Sequence, residues 1–226
     1  MDIHFEEASV RYEGRTALEP LTVTLTERRI GVIGLNGSGK TTFARLIKGL
    51  VIPSSGKVVV NGFDTVKDAE AVRAEAGFIF QNPQNQIILP ILKEDIALGL
   101  KRKKLSAAEI EAAVSAVLAR FGIPHLADRR THELSGGELQ LSAFASVLVT
   151  EPKILILDEP TNQLDLKNRN LVERTMAGMD ENLIVISHDL ALVEGFDRVL
   201  LFSGGKLIGD GKPNDVIAQY RTLAGA

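Results

Sequence analysis

Residues 34–41 read Gly-Leu-Asn-Gly-Ser-Gly-Lys-Thr and fit the pattern G-x-x-x-x-G-K-[S/T]. An apolar run that predicts a buried strand, residues 28–34 (RRIGVIG), leads into them, and residues 41–50 follow with apolar side chains at helical spacing. Glycines let backbone N–H groups converge on phosphate oxygens, and the N-terminus of the following helix presents its dipole to the same anion. The stretch therefore predicts a strand–loop–helix unit that binds nucleotide phosphates.

Two side chains of this phosphate loop have predicted roles in chemistry. Lys40 should contact the β- and γ-phosphates, and the Thr41 hydroxyl should bind Mg²⁺. The other interpretation is a glycine-rich turn that binds nothing, and the complete pattern between strand and helix argues against it. The predicted nucleotide-binding residues of this segment are Gly34, Leu35, Asn36, Gly37, Ser38, Gly39, Lys40, Thr41 and Thr42.

Two carboxylates follow a second buried-strand pattern, residues 154–157 (ILIL). Because open α/β sheets bind ligands at the carboxyl ends of their strands, Asp158 and Glu159 should emerge beside the phosphate loop. Asp158 should hold Mg²⁺, directly or through water, and Glu159 should polarise the attacking water. The other interpretation is a strand that ends in two solvated acids. A phosphate loop alone does not separate kinases, GTPases and ATPases, and this pair favours hydrolysis.

Composition excludes several classes of function. The chain has 226 residues, a formal net charge of −3 and no cysteine, so disulfides, thiolate metal sites and cysteine nucleophiles are excluded. The acidic balance gives no overall match to a nucleic-acid backbone. No run approaches the roughly 20 apolar residues that span a bilayer, and the N-terminus MDIHFEEASV does not resemble a signal peptide. If the protein works at a membrane, we expect it to hold a membrane-embedded partner.

The order of patterns predicts an α/β fold in a single domain, residues 1–226. Alternating strands open the chain, and apolar strand patterns return near the C-terminus. Residues 1–82 and 150–226 should form a mixed-sheet core that includes an N-terminal antiparallel β subdomain. Between them, residues 83–149 or so should form an inserted helical lobe, in which Ser106 and Glu109 make a capping box.

Residues 134–138 (LSGGE) resemble the signature sequence of the ATP-binding-cassette (ABC) family. The resemblance extends along nearly the whole chain and implies a P-loop ATPase fold that uses ATP and Mg²⁺. Tyr12 matches the aromatic residue that stacks on adenine, and Gln81 matches the Q-loop glutamine, which contacts nucleotide and Mg²⁺. Residues 162–165 match the D-loop, and His188 matches the switch histidine. A tyrosine after a strand is also a common packing residue, which is the other interpretation of Tyr12.

The resemblance also implies a second ATPase subunit. Ser135, Gly136 and Gly137 begin a predicted helix, an anion-binding arrangement that would contact ATP on a neighbour. Two subunits, copies or paralogues, would then face each other head to tail and enclose two nucleotides. His188 would keep Glu159, water and phosphate in register, so that Lys40, Glu159 and His188 form the catalytic set. Without the other motifs, residues 135–137 could be a flexible loop before a helix.

Two positions depart from the family pattern. Glu138 replaces the usual glutamine and should add a negative charge near the partner's nucleotide, and Leu141 stands where arginine is common. Neither change removes the Ser135 hydroxyl or the glycine amides, so we expect function to persist.

Residues 81–86 (QNPQNQ) resemble the Q-loop of energy-coupling-factor transporter ATPases. That branch implies an importer of a vitamin or a metal ion, and the size of the chain is most like the biotin-type system. The apolar strip Ile87, Ile88, Leu89 and Ile91 should accept a coupling helix from an integral membrane subunit. The other interpretation of this strip is core packing. The expected location is peripheral, on the cytoplasmic face of the inner membrane.

Two other functions remain as alternatives. An ABC ATPase that acts on ribosomes or DNA would carry coiled-coil insertions, tandem cassettes or basic arms. This chain has one cassette, and its only basic cluster is residues 101–104 (KRKK), which also fits a solvated stretch, so we expect no nucleic-acid partner. A binding module without catalysis is disfavoured because Lys40, Asp158, Glu159 and His188 are all present.

Overall fold

The computed structural model describes residues 1–162 and 164–225 and divides into two compact units. The first unit comprises Met1–Phe78, Lys153–Glu159 and the chain from Glu181 onward, and the second comprises Ile79–Pro152 and Pro160–Asp180. No described helix combines the length and the apolar character needed to cross a bilayer.

In chain order the elements are β1 (Ile3–Tyr12), β2 (Arg15–Leu25), β3 (Arg29–Gly34), α1 (Lys40–Ile47), β4 (Ser55–Val60), β5 (Phe63–Asp64), α2 (Ala69–Glu75), β6 (Ala76–Ile79), α3 (Leu92–Leu98), α4 (Ala107–Arg120), α5 (Gly136–Leu148), β7 (Ile154–Asp158), α6 (Leu166–Ala177), β8 (Asn182–Ile186), α7 (Leu190–Val193), β9 (Arg198–Ser203), β10 (Lys206–Gly211) and α8 (Pro213–Ala224). Short 3-10 turns occur at Pro83–Asn85, Pro124–Leu126 and Thr131–Glu133.

The strands form two sheets. A four-stranded antiparallel sheet has the order β2-β1-β4-β5, and a six-stranded sheet has the order β10-β9-β3-β8-β7-β6. In the second sheet β9, β3, β8 and β7 run parallel, and β10 pairs antiparallel with β9. β7 is buried along its whole length, as expected of a parallel strand covered on both faces. The predicted α/β fold with an antiparallel subdomain and a mixed-sheet core is confirmed.

Helix α1, which follows the phosphate loop, is anchored to both sheets through Phe43. Its ring stacks on Phe5 of β1 with centroids 4.9 Å apart and lies 5.0 Å from the ring of Phe202 of β9. All three side chains are buried, and each aromatic pair contributes about 0.5–1.5 kcal/mol beyond burial. The start of α1 is therefore held firmly where β3 ends.

The second unit is helical, and α5 packs against α3, α4 and α6. The predicted capping box is present: Ser106 Oγ accepts from the Glu109 backbone N–H, and the Glu109 carboxylate accepts from the Ser106 N–H. The unit also includes Pro160–Asp180, which lie within the segment 150–226 that the sequence patterns predict as part of the core. The physical reason is the packing of α6 on α5.

Candidate nucleotide site

The phosphate loop follows β3 and needs its glycines for two reasons. Gly37 and Gly39 have φ of 74° and 103°, a region that other residues rarely adopt. A Cβ on Gly34 would lie 2.2 Å from the Phe202 carbonyl oxygen, and one on Gly39 would lie 2.8 Å from the Ala17 carbonyl oxygen. The loop can therefore pass close to neighbouring backbone only without side chains at these positions.

Lys40 is the first residue of α1, and its ammonium group turns back onto the loop. Its Nζ donates to the carbonyl oxygens of Gly34 at 2.8 Å and Leu35 at 3.0 Å. Burial lowers the pKa of Lys40, and the nearby carboxylates of Glu159 and Asp158 partly oppose that change. The arrangement holds a positive charge at the loop that the sequence predicts to bind phosphates.

Thr41 and Asp158 bring two oxygen donors together. Thr41 Oγ1 donates to Asp158 Oδ1 at 3.3 Å, which connects the start of α1 to the end of β7. Burial raises the pKa of Asp158, the Thr41 hydrogen bond lowers it, and the charge of Glu159 raises it. Across residues 1–162 and 164–225, no three His, Asp or Glu side chains cluster as a metal cage. Mg²⁺ needs none, because it binds one or two carboxylates together with substrate phosphates, so this donor pair fits that ion.

Glu159 and His188 form a hydrogen-bonded pair beside Asp158. His188 Nδ1 lies 2.7 Å from Glu159 Oε2, and the His188 backbone N–H donates to the same oxygen at 3.3 Å. Glu159 has a φ of 51°, a left-handed conformation that costs a non-glycine residue of order 1–3 kcal/mol. Its backbone N–H donates to the Ile186 carbonyl oxygen of β8 at 2.9 Å. Hydrogen bonds that involve the backbone N–H and the carboxylate of Glu159 thus fix the orientation of this side chain.

A cleft of about 720 Å³ opens on this side of the first unit. Tyr12 lines it together with Gly37, Ser38, Gly39, Lys40, Thr41 and Thr42. Gly34, Leu35 and Asn36 lie outside its lining, where the first two supply the carbonyls that bind Lys40. The structure therefore brings Tyr12 and most of the predicted phosphate-binding residues to one cavity.

Sequence reasoning missed part of this cleft. Glu13, Arg15, Thr16, Ala17, Gly204 and Gly205 also line it. The Gly205 N–H donates to the Ser38 carbonyl oxygen at 3.0 Å, so the turn between β9 and β10 supports the phosphate loop. The residues Ser203, Gly204 and Gly205 are typical of a turn, but no local pattern shows that this turn contacts a loop more than 160 residues earlier.

Ser135 begins α5 and makes a second capping box, with Glu138. The Ser135 N–H and Oγ donate to Glu138 Oε2 at 2.8 and 2.7 Å, and the Glu138 N–H donates to Ser135 Oγ at 3.4 Å. These hydrogen bonds from Ser135 hold the pKa of Glu138 below its usual value. Ser135 and Glu138 have the same S-x-x-E spacing as Ser106 and Glu109, and this pattern is the sequence signal for the second capping box. Glu138 therefore has a partner within its own helix.

The two signature glycines have different surroundings. A Cβ on Gly137 would lie 2.0 Å from Asn168 Oδ1, so Gly137 permits the close packing of α5 on α6. Among the residues that the structure describes, a Cβ on Gly136 would meet only Leu164 Cδ2, at an ordinary 3.8 Å. Packing within the described chain thus explains a glycine at Gly137 and gives no reason for one at Gly136.

The remaining predicted residues lie in the second unit. Gln81 follows β6 and is exposed. The matched D-loop includes residue 163, which lies outside the described residues, and Asp165 caps α6 by accepting from the Asn168 N–H at 2.8 Å. The assignments of Gln81 and of the D-loop stay predictions.

A buried carboxylate organises the predicted docking strip. Asp95 of α3 is only 5% exposed, and its Oδ1 accepts from the N–H groups of Ile88 at 2.7 Å and Leu89 at 2.9 Å. Its Oδ2 accepts from Ser146 Oγ of α5 at 3.0 Å. The side chain of Ile88 is 75% exposed, while Ile87 is half-buried. Ile88 is therefore the member of the strip that most clearly faces outward, and sequence reasoning missed the role of Asp95.

Comparison with known proteins gives one consistent result. A sequence model of the family described as "ABC transporter" matches residues 18–162. The biotin transport ATP-binding protein BioM of Rhizobium etli is 65% identical over 99% of this chain and 100% of its own length. The energy-coupling factor transporter ATP-binding protein EcfA1 of Halalkalibacterium halodurans is 36% identical over 87% of this chain and 73% of its own length. The structure of cbiO1 from Clostridium perfringens, part of the ABC transporter complex cbiONQ, superimposes with a TM-score of 0.85 at 31% identity, covering 99% of this chain and 93% of cbiO1.

Proposed function

Because the chain belongs to the ABC family of transporter ATPases, we propose that it is the energy-coupling subunit of a biotin importer of the energy-coupling-factor type. The observation that carries the ATPase part is the grouping of Lys40, Thr41, Asp158, Glu159 and His188 at the carboxyl ends of β3, β7 and β8. The 65% identity to a biotin transport ATP-binding protein supports biotin as the solute.

The protein's own groups divide the work of hydrolysis. Lys40 neutralises phosphate charge that builds up during phosphoryl transfer, and the loop amides donate to phosphate oxygens. Glu159 orients and deprotonates the attacking water, and His188 keeps that carboxylate aimed through the 2.7 Å contact. Tyr12 offers its ring to adenine at the outer part of the cleft.

Thr41 and Asp158 would hold Mg²⁺ through one hydroxyl and one carboxylate oxygen. When bound, the ion supplies charge neutralisation between the β- and γ-phosphates. Asp158 must be ionised to serve, and the positive charges of Arg45 and Lys40 favour that form against its burial. A role for Gln81 in binding nucleotide and Mg²⁺ rests on the family resemblance alone.

A second ATPase subunit would complete the site. The signature helix α5 begins with Ser135, and room for a side chain at Gly136 is consistent with a group that approaches this backbone from outside the chain. A partner's triphosphate is such a group, since helix N-termini bind anions. Two-fold pairing lets one surface serve both subunits, whether they are copies or paralogues.

The membrane partner would dock on the loop that Asp95 holds. Asp95 fixes the backbone of Ile88 and Leu89, so that the exposed Ile88 side chain is presented with little freedom. An apolar side chain on a rigid loop suits a short amphipathic helix. The proposed location is therefore peripheral, on a membrane that holds the integral transporter subunits.

Purification of the tagged chain from detergent-solubilised membranes tests this proposal. We expect integral membrane subunits to co-purify, and we expect Glu159→Gln to abolish ATP-dependent biotin uptake while leaving that complex intact. Fractionation with ribosomes or DNA, and never with membranes, would contradict the transporter function. Uptake of a different solute by the intact complex would contradict the assignment of biotin as the solute, but not the transporter function.

A further inference from the structure

The hairpin that carries Tyr12 also carries an arginine that no motif explains. Strand β1 ends at Tyr12 and β2 begins at Arg15, so the turn contains only Glu13 and Gly14. Both turn residues have positive φ, 45° and 82°, as a two-residue type I′ turn requires. That turn fixes the register, and Tyr12 and Arg15 are direct partners across the two strands.

Direct cross-strand partners project from the same face of a sheet, with Cβ atoms about 4.5–5.5 Å apart. Tyr12 and Arg15 both line the nucleotide cleft, as this geometry requires. Arg11, one residue before Tyr12, does not line the cleft, and its Nε donates to Thr16 Oγ1 at 3.3 Å. The hairpin therefore presents one aromatic ring and one guanidinium side by side to the cavity.

Strand β2 runs from Arg15 towards the phosphate loop. Ala17 lies two residues further on, and its carbonyl oxygen would be 2.8 Å from a Cβ on Gly39. At about 3.3 Å per residue, Arg15 starts roughly 7 Å from Ala17 along the strand, and its long side chain can extend over that gap. Arg15 is thus close enough for its side chain to reach the space between the ring of Tyr12 and the loop that holds Lys40.

The charge of Arg15 is available to a ligand. Across residues 1–162 and 164–225, its exposed guanidinium has no hydrogen bond or ion pair, although the acidic Glu13 lines the same cleft. A guanidinium is always charged, and its planar donors match two phosphate oxygens at once. Within the described part of the chain, Arg15 and Lys40 are the two cationic residues that line this cleft. Because a phosphate-loop lysine reaches the β- and γ-phosphates, Arg15 is the cation that remains for the α-phosphate, where it would add to the hydrogen bonds of the loop amides.

We propose that Arg15 binds the α-phosphate of the nucleotide, between the adenine-facing Tyr12 and the phosphate loop. This inference rests on the proposed nucleotide site and adds a residue to it. Arg15 acts on binding and leaves the attacking water to Glu159. Its contribution should therefore appear in nucleotide affinity, and in the turnover rate only when ATP is below saturation.

Competition against a fluorescent ATP analogue tests the assignment with four nucleotides on the full chain. Arg15→Ala should weaken ATP, ADP and AMP by a similar factor, about tenfold for a lost charged hydrogen bond, and leave adenosine unchanged. Arg15→Lys keeps the charge but not the bidentate geometry of the guanidinium. Its affinity for the three phosphorylated nucleotides should lie between those of the wild type and Arg15→Ala. Arg11→Ala, which removes the same charge from a residue outside the cleft lining, should bind all four nucleotides like the wild type.

Two results would overturn the proposal. If Arg15→Ala binds ATP as tightly as Arg11→Ala does, Arg15 does not contact the nucleotide. If adenosine weakens as much as AMP, the guanidinium contacts the base and not the α-phosphate. Lys40→Ala tests the nucleotide site independently of Arg15. If Lys40→Ala loses ATP binding, the phosphate-loop assignment stands, even where the Arg15 variants show that Arg15 does not contact the nucleotide. Matching thermal unfolding of the Arg15 and Arg11 variants shows that both fold.

Discussion

The Ser135 hydroxyl donates a hydrogen bond of 2.7 Å to the carboxylate of Glu138, one turn further along the same helix. The signature serine is therefore engaged by a negative charge that an incoming phosphate would have to displace. Glu138→Gln keeps a side chain that can cap α5 but removes this charge. We expect ATP-driven dimerisation to strengthen by about 0.5–1 kcal/mol, since exposed charges are screened. Analytical ultracentrifugation with ATP in a Glu159→Gln background measures the dimer dissociation constant with and without Glu138→Gln. An unchanged or weaker dimer would show that Glu138 does not oppose binding of the partner's nucleotide.

The contribution of the Ser135–Glu138 pair to the free energy of unfolding should depend on pH in the acid range. Hydrogen bonds from Ser135 lower the pKa of Glu138 in the folded state, so its stabilising contribution is complete above the ordinary value of 4.5 and is lost as pH falls through the folded value. The difference in unfolding free energy between wild type and Glu138→Gln should therefore be flat near neutral pH and shrink below about pH 4.5. Denaturant titrations of both proteins at matched pH values check this difference.

Lys40→Ala should nearly abolish ATP binding and turnover. The substitution removes the positive charge that stands at the loop carbonyls of Gly34 and Leu35 and that we propose binds the distal phosphates. Calorimetric titration with Mg-ATP is the measurement. Arg11→Ala serves as the matched control for loss of one cation, and near-normal affinity in Lys40→Ala would count against the phosphate-loop assignment.

Glu159→Gln should bind Mg-ATP but hydrolyse it about 10² times more slowly or worse, the usual scale for a lost general base. It should also accumulate as the ATP-bound dimer. His188→Ala should retain Glu159 but lose its 2.7 Å orienting contact, so its turnover should fall while ATP affinity stays close to normal. Wild-type turnover in Glu159→Gln would move water activation to another group, with His188 the next candidate.

Ile88→Asp should release the protein from membranes while its own ATPase activity stays largely intact. The side chain is 75% exposed, so the charge should not disturb the helical unit. Leu223→Asp, at a 44% exposed site on α8, is the control for adding the same charge to an exposed apolar position. Membrane fractionation of cells that express the whole transporter compares the two. If Ile88→Asp stays bound as Leu223→Asp does, the docking surface lies elsewhere, and if Ile87→Asp misfolds, that half-buried residue is core.

Lys48 should make stability rise with alkaline pH. Its Nζ donates to the carbonyl oxygens of Arg73, at 2.8 Å, and Ala76, at the end of α2, and burial lowers its pKa from 10.5 to about 8. Between those values the unfolded chain binds the proton and the folded chain does not, so unfolding becomes less favourable as pH rises. Relative to Lys48→Met, wild type should gain up to about 1.4 kcal/mol per pH unit in this window. A flat difference from pH 8 to 10.5 would contradict the lowered value.

Sequence patterns predicted the parts of the site that depend on neighbours in the chain. The phosphate loop, the strand that ends at Asp158, and the cap at Ser106 each follow from a few consecutive residues whose backbone geometry is set locally. The contact between Thr41 and Asp158 joins residues 117 positions apart, and it could be expected only because parallel strands end at one edge of a sheet.

Other features depend on tertiary packing that no local pattern reports. The support of Ser38 by Gly205 and the closeness of Gly39 to Ala17 arise where separate hairpins meet the loop. The grouping of α6 with the helical unit depends on a glycine at Gly137 that only the position of Asn168 explains. Asp95 belongs to none of the motifs recognised in the sequence, although burial and three hydrogen bonds give it a structural role.

The placement of Phe43 between Phe5 and Phe202 connects the two sheets of the first unit through α1. An opening fluctuation that separated either sheet from α1 would remove an aromatic contact and loosen the loop that precedes the helix. We therefore expect nucleotide affinity to depend on the stability of strands that do not themselves contact the phosphates. By the same linkage, a bound nucleotide suppresses local opening in the antiparallel sheet as well as in the strands that carry the catalytic groups.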